Sequence, residues 1–169
     1  MHTKNVPAVP QHDAIDGFDM AKLPIDRDSI RSRRLLRLIE LIEVLRTRDN
    51  QRTIWQMLLD AGANPDFILL RDCDDDAKLA RRPAIQVNVN TSKLHGFVVI
   101  THNADDTGFK VLLQEKGSSV AQQTVDNVVV RRLAATLTDL LDDGTKRMAI
   151  PTQSIASNAE IAGDYLLRP

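Results

Sequence analysis

A single cysteine, Cys73, stands in the whole chain, so neither an intramolecular disulfide nor a multi-cysteine zinc site can form within it. This scarcity is what a reducing compartment leads one to expect. Aromatic residues amount to 4%, too few for a platform of several rings on which bases stack. The core must therefore be aliphatic. No run of about 18 apolar residues exists to cross a bilayer, and the polar start MHTKNVPAVPQHD lacks the basic-then-apolar layout of a secretion signal. The expectation is a cytoplasmic protein with no membrane partner. Charge of one sign is also missing, since the net charge is −1 and the sequence pI about 6.4. No serine lies in a G-x-S-x-G setting, and no G-x-x-x-x-G-K-[ST] or G-x-G-x-x-G phosphate loop occurs.

What remains is an ordinary globular composition, with 43% hydrophobic and 27% charged residues in a chain of 169. That length suits one domain with a sizeable core. The near-zero net charge conceals segregation. From Arg27 to Arg52 eight arginines stand against four acids, while from Asp60 to Asp76 six aspartates stand against Arg71 alone. Such a dipolar layout either steers a charged partner or pairs internally.

The stretch from Asp28 to Asp49 makes the most specific physical demand. On a 3.6-residue wheel Arg31, Leu35, Leu38, Ile39, Leu41, Ile42 and Leu45 share one side, with Arg33, Arg37, Glu40, Glu43 and Thr47 opposite. The pattern predicts a long amphipathic helix capped by Asp26 or Asp28. Leu36 and Val44 fall outside the stripe, which calls for a second contact or a partner subunit. A second helix is expected over Gln51 to Ala61, closed by Gly62 in a left-handed conformation. The nine residues LLDAGANPD, Leu58 to Asp66, resemble the end of an ankyrin repeat's second helix, but no second copy exists and the segment is read as a helix stop.

Strand signals dominate the middle. Phe67 to Leu70 is compatible with a short strand or a helical turn, and Asp72 to Arg82 reads as a polar connection. Ile85, Val87 and Val89 alternate with Gln86, Asn88 and Asn90, giving a strand with one wet face. Phe97 to Ile100 is apolar on both sides and should be central. Phe109, Val111 and Leu113 alternate with Lys110 and Gln114, although Leu112 interrupts the polar side. These three form an antiparallel meander. Ser119 and Gln122 have capping-box spacing, so a long helix is expected from there, or from near Asp126, to Gly144, covering the meander. The β-branched Val128 to Val130 leaves a strand open at that point, and Lys146 to Ile150 reads as a further edge strand. The fold class is α+β, with an N-terminal helical pair, the meander and the covering helix. Residues 27–150 form the domain, residues 1–26 an extended arm and residues 151–169 a tail, both flexible and each with isolated apolar anchors, among them Ile15, Phe18, Met20 and Leu23, and Tyr165, Leu166 and Leu167.

The chemical inventory is thin. His95 and His102 bracket the central strand and, at ~3.3 Å per residue, stand roughly 20 Å apart, too far to share a metal. Asp72, Asp74, Asp75 and Asp76 offer oxygen ligands, yet Ala77 stands where an EF-hand needs glycine and Pro83 where it needs glutamate. The acidic neighbours of Cys73 disfavour a thiolate. No metal, no cofactor and no catalytic residue is expected.

The expected function is that of a non-catalytic protein-binding or adaptor module. It would act as a homodimer or as a subunit of a larger complex, through Leu35, Leu38, Ile39, Leu41, Ile42 and Leu45. Gln86, Asn88, Asn90, Lys110 and Gln114, on the wet strand face, would be a secondary recognition surface. The order helix, meander, helix is similar to that of small secretion chaperones, which are dimeric binding proteins, though only in element order. The alternative is a nucleic-acid-binding regulator in which Arg31, Arg33, Arg34, Arg37, Arg48 and Arg52 neutralise phosphates. Against it, Arg37 with Glu40 and Glu43 with Arg46 have the spacing of helix-surface ion pairs worth ~0.2 to 0.5 kcal/mol each. A third reading is a small phage or mobile-element inhibitor of a host complex.

Overall fold

The first long helix starts at a serine rather than an aspartate. In a computed structural model, which describes residues 22–73, 81–105 and 107–147, helix α1 spans Arg33–Val44. The Ser32 hydroxyl accepts the Leu35 N–H at 3.2 Å and caps it. Asp26 instead caps one 3-10 turn, Arg27–Ser29, by accepting the Asp28 N–H. The helix stops early because Leu45 turns extended and Arg46 pairs with Thr53 as an isolated antiparallel bridge. Helix α2, Ile54–Asp60, is trimmed by the same bridge. Thr53 caps it reciprocally with Gln56, and Gly62 follows at φ +90°.

Among the described residues five strands follow in sequence order, all antiparallel: β1 Leu69–Arg71, β2 Ala84–Asn90, β3 His95–His102, β4 Phe109–Glu115 and β5 Gln123–Val128. The expected meander is the middle three. Strand β1 follows a 3-10 turn, Pro65–Phe67, so both readings of that segment are realised in succession. The expectation of a helix starting at Ser119 fails. The Gln122 N–H bonds the Leu113 carbonyl at 2.7 Å, and Gln123, Thr124 and Val125 pair with Leu113, Leu112 and Val111. The exposed edge of β4 offers those hydrogen bonds, and β-branched Thr124, Val125 and Val128 are stiff in a helix but at home in a strand. Helix α3 therefore spans only Val130–Leu141. The β4–β5 register shifts between Phe109 and Val111, and Asn127 sits at φ +57°.

The sheet's two faces have different fates. Ile85, Ile100, Val111 and Val125 are cross-strand neighbours on the inner face, as are Val87, Val98 and Leu113. These residues join one core with Leu35, Leu38, Ile39 and Ile42 of α1, Trp55 and Leu58 of α2, and Leu133, Leu137 and Leu141 of α3. All three helices thus share the cover that α3 alone was expected to give. Leu23, in the segment read as an arm, is buried in the same core. The other arm anchors, the acidic residues Asp74 to Asp76 and most of the expected edge strand Lys146 to Ile150 lie outside the described residues; Lys146 and Arg147 are not in a strand.

Polar ties join distant parts of the chain. Arg52 donates from Nη1 to Asp60 Oδ2 at 2.8 Å and from Nη2 to Asp142 Oδ2 at 2.6 Å, linking the start of α2 to the end of α3. Asp72 accepts the Arg31 and Ser32 N–H groups at 2.9 and 2.8 Å. Those bonds hold its carboxyl below the ordinary range and fasten the chain after β1 to the entry of α1.

Candidate functional site

Alternation along the strands sends every second side chain away from the helices. Read across the sheet, the central outer row is Leu69, Gln86, Val99, Leu112 and Thr124, each paired with the next. A second row holds Asn88, Phe97 and Gln114. Phe97, Val99 and Leu112 belong neither to the core cluster nor to the residues packed against it. Leu69 is 60% exposed, and Phe67, in the turn before β1, is 67% exposed. Leu69, Val99, Leu112 and Phe97 thus form an apolar patch, interrupted by Gln86 and half-buried at Phe97, Val99 and Leu112, on the side the helices leave open.

Relief on this face comes from the loop after α2. A depression of about 410 Å³ is lined by Phe67, Leu69, Asn88, Asn90, His95 and Phe97 among others, and a smaller one of about 120 Å³ adjoins it between β1 and Val99. Its polar rim is already organised. Asn88 Oδ1 accepts the Asn64 N–H at 3.0 Å, and Asn90 Oδ1 lies 3.0 Å from His95 Nδ1. Gly62 permits the close approach of loop and strand, because a side chain there would stand 3.3 Å from the Asn90 nitrogen. Charge is nearly absent from the middle of the face. Lys110 Nζ is paired with Asp126 Oδ1 at 3.0 Å near one side.

The residues singled out from the sequence are distributed differently from expectation. Leu35, Leu38, Ile39, Leu41 and Ile42 are all buried, none more than 6% exposed, and Leu45 packs half-buried against the same core. The stripe of α1 is therefore occupied by the chain's own sheet and helices. The expected second contact is supplied within the chain, where five strands and two further helices enlarge the inner layer. Val44, outside the stripe, remains exposed. Gln86, Asn88, Lys110 and Gln114 do share the open face, with Asn90 at its end.

The arginines divide between carboxylate partners and one hollow. Arg27 pairs with Glu43, which also accepts the Leu23 N–H, so Glu43 turns to the N-terminal segment rather than to Arg46. Arg37 lies 3.7 Å from Glu40, Arg48 pairs with Asp139 at 3.2 Å, and Arg52 is held by Asp60 and Asp142. Arg31 and Arg33 are exposed, and Arg34 is half-buried, its carbonyl 3.3 Å from His102 Nε2. Arg33, Arg34, Arg37, His102, Phe109 and Val130 border a hollow of about 300 Å³ at the start of α1. Burial opposes the charged form of Asp142, but the Gly144 N–H and the Arg52 guanidinium outweigh it and hold that carboxyl below the ordinary range. Burial likewise works against the Arg52 cation, and its bonds to the two aspartates more than compensate.

His95 and His102 occupy opposite ends of β3. Among the described residues no group of three or more His, Cys, Asp or Glu side chains could hold a metal ion, and no helix is long and apolar enough to cross a membrane. The open patch had a signal in the sequence: Phe97 to Ile100 apolar on both sides, and Leu112 where a polar residue was due. No protein-family model, curated protein or solved structure matches the chain.

Proposed function

We propose that the protein is a non-catalytic protein-binding module whose docking surface is the outer face of the sheet, not α1. The observation that carries this reading is the cross-strand row from Leu69 through Val99 to Leu112, with Phe97 beside it, uncovered by the three helices that close the opposite face. Aliphatic side chains on a rigid sheet offer contact area with little entropy left to lose, and Gln86 within the row and Asn88 and Gln114 beside it can each both donate and accept hydrogen bonds. The complementary partner is an uncharged, aliphatic surface bordered by polar groups. Five strands at ~4.8 Å spacing and seven residues at ~3.3 Å give a footprint on the order of 400 Å², about half of what one side of a stable interface covers. Contacts of that size suit a transient partner or one anchored elsewhere.

Nucleic acid is the less favoured partner. Arg27, Arg37, Arg48 and Arg52 are each paired with a carboxylate of the same chain, and only Arg33 and Arg34 join Arg37 around one hollow, fewer cations than a phosphate-tracking groove needs. The full chain can be panned against a displayed random-peptide library to test the docking reading. Enriched ligands should be lost on Phe97→Asp with Leu112→Asp and retained on Arg33→Glu with Arg37→Glu. The opposite pattern, or no enrichment, would remove the assignment.

A further inference from the structure

The outer face complements itself. It carries an apolar patch, and Gln86, Asn88 and Gln114 can each donate and accept, so two copies related by a two-fold axis present matching groups to one another. Its margins match more specifically. On the β1 side Phe67 is 67% exposed and follows the exposed Asp66 in a turn tied down twice, by Asn64 Oδ1 accepting the Asp66 N–H at 3.0 Å and by Asn88 Oδ1 accepting the Asn64 N–H. On the far side the larger depression has a basic end. Lys116, just after β4, lines it beside His95 and donates its N–H to the His95 carbonyl at 2.9 Å. Among the described residues that line the depression there is no carboxylate, and neither Lys116 nor Asp66 has an ion-pair partner among the described residues. Three strand spacings, roughly 14 Å, lie between β1 and β4, which keeps the two charges apart within one copy.

We propose that two copies of the chain dock face to face through this surface, with Asp66 and Phe67 of each seated against Lys116 and Phe97 of the other. The inference rests on the reading of the outer face as a docking surface and names a second copy as what docks there. A two-fold axis makes every contact twice, so one pairing of Asp66 with Lys116 brings its reciprocal with it. The depression of about 410 Å³ has room for the exposed Phe67 ring, and aromatic rings favour the offset or edge-on contact that Phe67 and Phe97 would make. Area sets the strength. A footprint on the order of 400 Å² on each copy is below the ~800 Å² of a stable dimer, so the association is transient and shows at high chain concentration.

Charge exchange tests it on the full chain, by sedimentation equilibrium at millimolar concentration and low salt. The parent should approach twice the chain mass, and Asp66→Lys or Lys116→Asp alone should weaken association at least tenfold, because each homodimer then sets like charges together. An equimolar mixture of the two variants should regain the association of the parent, since both reciprocal pairs become attractive again. A monomeric parent overturns the proposal. So do single variants that associate as well as the parent, which place the interface elsewhere, and so does a mixture that stays monomeric. Peptide panning with the Phe97 and Leu112 substitutions reads the face without needing a dimer, so the docking assignment stands or falls separately.

Discussion

Replacing Arg52 with methionine isolates the contribution of one buried cation. The side chain is 12% exposed and holds Asp60, which is 4% exposed, and Asp142, which is 17% exposed. Methionine keeps most of the aliphatic volume, so the loss is electrostatic: two carboxylates lose the cation they share. Breaking a buried pair from one side costs about 3 to 5 kcal/mol. The lower end applies here, because Asp142 retains the Gly144 N–H at 3.0 Å and some solvent. A loss of about 3 kcal/mol in a chain of this size lowers the melting temperature by roughly 6 to 12 °C. Urea denaturation followed by circular dichroism measures it, with the midpoint shifted and the slope unchanged. Arg48→Met is the control, since Arg48 and Asp139 are 66% and 59% exposed and such a pair contributes less than about 1 kcal/mol. Arg52→Met with Asp60→Leu and Asp142→Leu should recover much of the loss, because the desolvated charges are then gone. Equal, small effects of Arg52→Met and Arg48→Met would refute the reasoning.

Three further outcomes follow from the packing. Leu38→Ala, at a position with no solvent exposure, should lower the unfolding free energy by about 2 to 5 kcal/mol in urea titrations; a loss under 1 kcal/mol would remove Leu38 from the core. Gly96→Ala should unfold or severely weaken the protein, because the new carbon would meet the Gln114 carbonyl oxygen at 2.0 Å; a thermal melt within a few degrees of the parent would contradict that register. The depressed Asp142 carboxyl stabilises the fold above its unfolded value and loses that contribution as pH falls through its lower folded value. Urea midpoints should therefore drop below about pH 4, and Asp142→Asn should flatten that dependence. A parent profile no steeper than that of the variant would count against the pairing.

Local periodicity made the middle of the fold legible. The alternation over Ile85 to Val89, the two-sided apolar run at Phe97 and the stop at Gly62 reappear as strand, central strand and left-handed residue. What periodicity could not supply was partnership. Strand β1 has three residues, too few for a pattern, and exists because Leu69, Leu70 and Arg71 find β2. Strand β5 is mostly polar and owes its conformation to the edge of β4. The cap of α1 was misplaced because Asp26, Asp28 and Ser32 all have suitable side chains, and the choice was made from a distance by Asp72 bonding the Arg31 and Ser32 amides. For the candidate site the same limit applied. Phe97 and Leu112 were recognised as apolar, but only the register shows that they stand with Val99 on the side away from the helices.

The margins of the sheet have a consequence for self-assembly. One border strand is only three residues long, and the other meets its neighbour through an irregularity at Phe109 and Val111 and carries Asn127 at positive φ near its end. Shortness at one border and a kink at the other both discourage a neighbouring molecule from extending the ladder. A chain built this way keeps a broad greasy surface while denying copies of itself the backbone template from which fibrils grow.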